Sequence, residues 1–382
     1  MKILLIGEYS GFHNSLKKGL QQLGHTVVLV GDGDNYKNYP VDISTKPVWF
    51  SKYYIPRKFK NAIYTLFKID LLKVEQGVRY QFLKSKFKNY DVVQLINSDA
   101  LFTYPWLAKS ILQSIFKHNK SVVLSACGDD THFVDWLLNN DKPYNLLTPL
   151  KHKKVTASAF KYTLKYTSKA YRSQYSYVVN NVDAIIPTDM DYLLSLKGNL
   201  KTTKLIPTPI DLNALEFPSE LPTTPIHIFH GISNSNYIKK GNAYFEDALK
   251  SIKENYKDQV KITSTYSLPY NEYVRANNSA HIHLDQIYSY DQGYNALEAM
   301  AKGKVVFTGA ERCFYEHYNL QEDVCINAKP DVAYLVEKLS ELIENPKKIA
   351  SIGYNAKLFV SKYHNLETVS KQYIEVYNSV KE

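Results

Sequence analysis

A chain of 382 residues has room for two domains of ordinary size, and 45% hydrophobic residues let each half bury a full core. The balance is basic, 47 Lys and Arg against 37 Asp and Glu for a net charge of +10, which favours anionic partners. Three scattered cysteines, Cys127, Cys313 and Cys325, have neither disulfide-framework nor zinc spacing and suit a reducing cytoplasm. No apolar run approaches the ~20 residues that span a bilayer, so a soluble or peripheral protein is expected.

The opening MKILLIGEYSG carries too short an apolar run for a signal peptide and reads as a strand over Lys2 to Ile6. A loop from Gly7 to His13, a helix to about Leu23 and a strand from His25 to Gly31 follow. The loop GEYSGFH lacks the glycine spacing of the dinucleotide fingerprint. Its amides, that of Gly11 among them, can approach a ligand, and a plain βα turn explains it equally. Apolar, β-rich segments recur at 91–96, 121–126 and 182–188 with basic helical stretches between them. That alternation predicts a parallel sheet covered on both faces.

Positive charge is concentrated. Lys52 to Lys88 holds ten Lys or Arg against Asp70 and Glu75, and Lys142 to Val182 contains no acidic residue. Lys161, Lys165 and Lys169 repeat at helical spacing, joined by Arg172 and interleaved with Phe160, Tyr162, Tyr166 and Tyr171. This pattern predicts a basic-aromatic helix, suited either to an anionic membrane surface or to plain solvent. No nucleic-acid motif accompanies it. Two Asp-x-Asp triplets, Asp32-Gly33-Asp34 and Asp189-Met190-Asp191, are read as turns.

Around Leu205 to Leu212 the text LIPTPIDL, with two close prolines, predicts a stiff connector between domains. A second series of strands follows at 226–231, 260–265, 281–284, 304–308 and 324–327, with helices at 243–254 and 272–277 and a helical last third. Between two such sheets, the natural site is the cleft beyond the strands' carboxyl ends. The richest stretch is YDQGYNALEAMAKGKVVFTG, Tyr290 to Gly309. It reads as a glycine-containing loop, a short helix from Asn295 to Ala301 and a buried strand. A loop feeding a helix amino end is an anion site, and Glu298, one turn in, can accept from a sugar or ribose hydroxyl.

Taken together, these residues resemble the GT-B glycosyltransferases of the group 1 or family 4 type. Tyr290 to Glu298, then Ala299-Met300-Ala301-Lys302-Gly303-Lys304-Val305-Val306, is similar to that family's glutamate motif. LIPTPIDL is similar to its hinge, Lys240-Gly241 matches its Lys-Gly pair, LPYNEYVRANNSAHIHLDQ resembles the preceding segment, and Asn355 to Tyr377 resembles its terminal helices. The resemblance covers about Lys204 onward. In the first half the best match is CGDDTH, similar to a G-x-D turn facing the cleft, which places Gly128 and Asp130 there.

The resemblance implies an α/β protein of two Rossmann-like domains facing a cleft: 1–205 on the acceptor side, 206–363 holding the nucleotide sugar, and 364–382 crossing back. It implies retaining transfer from a nucleotide-diphosphate sugar to a saccharide or lipid-linked saccharide, without metal or other cofactor. From cysteine usage a cytoplasmic protein is expected, with the basic-aromatic stretch offering either a peripheral contact with the inner face of the plasma membrane or a solvated face, and no nucleic-acid partner is expected. Glu298 would bind the ribose, Lys240 with Gly241 the diphosphate, and Gln292, Gly293, Tyr294 and Asn295 the rest of the anion site. Departures from the pattern are Tyr290, where the sugar-reading glutamate stands, Ser235, where an arginine stands, and Cys127, where a histidine stands. They leave Asp291 or Asp285 for the sugar, Lys239 to share the phosphate charge, and His13 or His132 as the cleft histidine. Asp130, Asp291 and His132 are the expected catalytic set.

Overall fold

The computed structural model describes residues 1–214, 224–268 and 270–381. Residues 215–223 of the expected second domain, Pro269 of the LPYNEYV segment and Glu382 lie outside the described residues. Six parallel strands form the first sheet: β1 (Lys2–Ile6), β2 (Thr26–Gly31), β3 (Ile43–Ser44), β4 (Val92–Leu95), β5 (Ser121–Ala126) and β6 (Ala184–Pro187). Their order is β3-β2-β1-β4-β5-β6. Five more form the second: β7 (Ile226–Ile232), β8 (Val260–Tyr266), β9 (Ile282–Leu284), β10 (Val305–Thr308) and β11 (Ile326–Asn327), ordered β11-β10-β9-β7-β8.

The central strands β1, β4, β5 and β10 are buried along nearly their whole length, as parallel strands covered by helices on both faces are, while the edge strand β8 is largely exposed or half-buried. In β1, Ile3 to Ile6 are fully buried, and Ile3 lies beside Val27 of β2 and Val92 of β4. Each such side chain contributes ~1.5–3 kcal/mol by leaving water. Both strand orders reverse direction at one point, next to β1 in the first sheet and next to β7 in the second. The loops leaving the carboxyl ends of the strands there face one another, which puts a crevice between the domains.

The connector and the last helix tie the two halves together. The Ile210 amide donates to the His364 carbonyl at 2.7 Å, and His364 Nδ1 meets the Thr208 carbonyl at 2.9 Å. From there the helix Leu366–Ser379 returns to the first domain. Its Val369, Tyr373 and Tyr377 join the first core, and Tyr373 meets Phe12 edge-on at 6.4 Å. A second apolar seam joins the domains directly, where Met190 and Leu205 pack with Met300, Phe314 and Phe359.

One expected element is different. The basic-aromatic stretch is not one helix but a succession of short turns, Ala157–Phe160, Lys161–Leu164 and Lys165–Thr167, followed by the helix Lys169–Asn181. Phe160, Tyr166 and Tyr171 are buried, Lys165 pairs with Asp99 at 2.7 Å, and Arg172 pairs with Asp135. Those three aromatics are core, Lys165 and Arg172 already have carboxylate partners, and Lys161 lies 4.8 Å over the Tyr162 ring. Only Tyr162 presents a large apolar face to solvent.

Candidate active site in the interdomain cleft

A cavity of about 450 Å³ opens between the sheets' carboxyl ends. Tyr9, Asp129, Lys165 and Tyr166 line it from the first domain, and Asn236, Lys239, Gln292, Gly293 and Tyr294 from the second.

The loop after β1 is shaped by a buried acid. Glu8 accepts from the Gly11 amide at 3.0 Å, from the Asn14 amide at 2.9 Å and from the Asn14 side chain at 2.6 Å. Burial pushes its carboxyl up to about 7. Gly11 sits at φ +90°, and a side chain there would come 3.4 Å from the Tyr294 hydroxyl of the other domain. A left-handed backbone and a close approach are both needed, and only glycine meets them cheaply. Tyr294 reaches across to Ser15, oxygen to oxygen at 3.0 Å. His13 is used inside the domain: Nδ1 lies 2.7 Å from the Gly7 carbonyl and Nε2 meets Gln94 at 3.1 Å. Burial pushes its pKa down to about 4, so the ring is neutral.

The loop after β5 separates two adjacent carboxylates. Asp130 turns inward and caps the helix Thr131–Asn139, accepting from the Thr131 amide at 2.7 Å and from the Ser98 amide and hydroxyl at 2.8 and 2.6 Å. Burial pushes it up to about 6. Asp129 faces the cleft, accepting from the Thr163 hydroxyl at 2.5 Å and from Lys239 on both oxygens at 2.8 Å. Burial alone would raise Asp129, but the Lys239 charge and hydrogen bond outweigh it and hold it below the usual carboxylate range. His132 is half-buried and stacks on Tyr175 with a centroid separation of 5.5 Å, and desolvation of the ring pushes its pKa down to about 3. Of the expected first-domain pair Asp130 and His132, neither lines the cavity; the cleft carboxylate is Asp129.

In the second domain the same one-residue displacement recurs. Lys240 Nζ is 2.7 Å from Asp285 Oδ1, while Thr308 donates to the other oxygen at 3.1 Å. Asp285 is buried, so Lys240 ties the exit of β7 to the exits of β9 and β10. The expected alternative role of Asp285 at the sugar therefore meets a carboxylate already engaged on both oxygens. Gly241, at φ +69°, opens the helix Asn242–Tyr256. Lys239, the neighbour, reaches the cavity.

Gly293 is the N-cap of the helix Tyr294–Ala301 and lines the cavity, so that helix directs its free amides there. Gln292 donates to the Gly309 carbonyl at 2.8 Å, and its buried Oε1 has no hydrogen-bond partner among the described residues. Asn295 is exposed, and Glu298 is half-buried one turn along the helix.

Tyr290 and Asp291 belong to the domain junction. The Tyr290 ring stacks on Tyr144 at 6.0 Å and meets Trp136 edge-on at 5.8 Å, and its hydroxyl donates to the Tyr144 carbonyl. Asp291 accepts from the Met190 amide at 2.9 Å and the Gln292 amide at 2.8 Å. In return Asp191 accepts from Ser289 and from the amides of Tyr290 and Asp291 at 3.0, 3.0 and 3.2 Å. Asp189 caps the helix Met190–Ser195. The second Asp-x-Asp triplet is therefore an interdomain clasp and not a solvated turn, while Asp32 accepts from the Asp34 amide at 3.1 Å within a turn.

Sequence reading missed Asp129 and the tyrosines of the first-domain wall, and it gave Lys239 only a share of the charge beside Lys240. The doublets Asp129-Asp130 and Lys239-Lys240 offered both members, and only the backbone path decides which side chain faces the cleft.

Comparison with known proteins agrees with this architecture. Residues 228–375 match the family described as glycosyl transferase-like. No curated protein matches the sequence. Among solved structures, sucrose-phosphate synthase from Thermosynechococcus elongatus is similar at TM-score 0.63 and 14% identity, over 100% of this chain and 99% of that one. HepE from Anabaena, in complex with UDP-glucose, is similar at 0.56 and 14%, over 99% and 100%. UDP-GlcNAc 2-epimerase from Neisseria meningitidis, bound to UDP-GlcNAc, is similar at 0.54 and 12%, over 99% and 100%. At such identities the likeness is one of fold. The chain has the GT-B fold, and its residues 228–375 carry the glycosyl transferase-like family pattern.

Proposed function

We propose that the protein transfers a sugar, with retention, from a nucleotide-diphosphate sugar bound in the interdomain cleft to a saccharide or lipid-linked saccharide. Such a product belongs to a cell-surface polysaccharide or glycolipid, made from the cytoplasmic side. The observation that carries this reading is the meeting of Lys239 with the amino end of Tyr294–Ala301 in one cavity. A diphosphate leaving group needs positive charge where its own charge develops, and an ammonium plus free helix amides supply it. Uridine is the favoured base, because HepE is similar in fold and binds UDP-glucose. Glu298 is proposed as the ribose contact and Gln292 Oε1 as an acceptor for a donor hydroxyl. Tyr9 and Tyr166 offer ring faces for the acceptor sugar.

A second reading has its own observation. Tyr290 stands where the family's sugar-reading glutamate would be and is committed to the domain junction, which favours a protein that binds a nucleotide sugar without transferring it. An epimerase shares the fold as well. Isothermal titration with UDP-, GDP- and ADP-sugars, followed by a nucleotide-release assay, separates these readings. Binding with acceptor-dependent nucleotide release supports the transferase, and binding without release on any acceptor or water supports the silent protein.

A further inference from the structure

More than half of the exposed large hydrophobic side chains among the described residues lie between Val48 and Ile69. The helix Tyr54–Phe67 buries none of its fourteen residues. Ile55, Phe59, Ala62 and Leu66, at i, i+4, i+7 and i+11, share one face of it. Ile55 is 78% exposed, Phe59 56% and Leu66 72%. A free apolar stripe of that length on a soluble surface marks a contact.

The charges say with what. Between Asp42 and Asp70 there is no acidic residue, while Lys46, Lys52, Arg57, Lys58, Lys60 and Lys68 all fall there. Lys58 lies 4.6 Å over the Tyr54 ring, so cation and aromatic share the rim of the stripe. A second copy of this face would bring like charges together in an isologous contact. An anionic bilayer accepts both halves of the pattern, the apolar stripe entering the acyl boundary and the cations meeting headgroups.

The face is also held in place. Glu75 accepts from the amides of Val48, Trp49 and Phe50 at 2.6, 2.9 and 3.1 Å, which fixes the short helix Trp49–Lys52 that precedes the stripe. Arg79 completes the clamp with a 2.8 Å ion pair to Glu75 and lies 5.5 Å over the Trp49 ring.

We infer that the segment Val48–Ile69 is an interfacial anchor that lays the first domain on an anionic membrane, with Ile55, Phe59 and Leu66 inserted. This serves the lipid-linked acceptor of the proposed function, but it is read without donor or acceptor, so either can fail alone. The test is co-sedimentation of the full chain with phosphatidylglycerol–phosphatidylcholine vesicles, against phosphatidylcholine alone, at low and high salt. The wild type is expected to sediment with anionic vesicles at low salt, less so at high salt, and to stay in solution with neutral ones. Ile55→Glu/Phe59→Glu/Leu66→Glu is expected to lower partition at least about tenfold with an unchanged melting temperature. Arg57→Glu/Lys58→Glu reads the charge half independently. The inference is overturned by no binding of the wild type at low salt, or by both variants binding as it does. Self-association that the triple variant abolishes, without vesicle binding, overturns it too and gives the face to a second copy.

Discussion

Lys239 and Asp129 belong to different domains and meet in the cleft, the ammonium 2.8 Å from both carboxylate oxygens. The pair spans the cavity where a donor's diphosphate is proposed to lie. The cation proposed to bind the diphosphate is therefore paired with a carboxylate that a diphosphate would have to displace.

Lys239 and Lys240 differ in what they hold. Lys240→Ala leaves Asp285 buried beside Thr308 without its cation. Removing one partner of such a buried pair costs about 3–5 kcal/mol. Lys239→Ala breaks a partly buried pair whose carboxylate keeps the Thr163 hydrogen bond and borders the open cleft, so it should cost less than Lys240→Ala. Urea denaturation of the two variants against the wild type checks this order.

Asp129 and Asp130 should part in the same way. Asp130→Ala deletes a helix cap and strands the Ser98 amide and hydroxyl, a loss of about 1–2 kcal/mol of stability. Asp129→Asn keeps an acceptor for Thr163 and should lower the melting temperature less than Asp130→Ala, while it tightens nucleoside diphosphate binding severalfold, because Lys239 no longer has to leave a carboxylate. Calorimetric melting and titration of both variants decide the matter.

Tyr290 is expected to resist the family residue. Tyr290→Glu would bury an unpaired carboxylate between Tyr144 and Trp136, costing about 3 kcal/mol or more and restoring no activity. Tyr290→Phe loses only the bond to the Tyr144 carbonyl, about 1 kcal/mol. Thermal melts with a nucleotide-release assay on each variant compare the two.

The junction carboxylates impose a pH dependence. Burial pushes Asp291 up to about 6, and burial with the charge of Asp291 pushes Asp191 up to about 7. In the unfolded chain both titrate near the ordinary value, so the folded protein holds more protons between about pH 4 and pH 7. Their stabilising contribution is thus full below that window and declines as pH rises through it. These groups should lower the melting temperature progressively from about pH 4 to about pH 7. Asp191→Asn, which keeps an acceptor for the Tyr290 and Asp291 amides, should flatten the decline, and Glu8, also raised to about 7, should keep part of it.

The legible parts of this chain were those that repeat a backbone pattern. Apolar runs such as KILLI and SVVLSA had to be buried strands, and LIPTPIDL had to be an extended connector. The glycine-bearing loop and helix at 293–301 were readable because anion binding there uses backbone amides, whatever side chains accompany them. Side-chain direction was not readable. Between Lys239 and Lys240, or Asp129 and Asp130, a single residue of phase in a loop exchanges cleft for core. Lys161, Lys165 and Lys169 showed helical spacing, but the chain turns in short 3-10 and helical segments there and buries the interleaved Tyr166 and Tyr171. The stripe from Ile55 to Leu66 was present in the sequence as a period of four, three and four residues with no acidic neighbour.

The central claim is that the interdomain cavity binds a nucleoside diphosphate through Lys239. Titration of UDP, GDP and ADP into the wild type, Lys239→Ala and folded Asp129→Asn tests it most directly. At least one nucleotide should bind the wild type, with affinity lowered about tenfold or more in Lys239→Ala, the loss of one charge-assisted phosphate contact. Absence of binding by all three nucleotides, or an affinity that Lys239→Ala leaves unchanged, would contradict it.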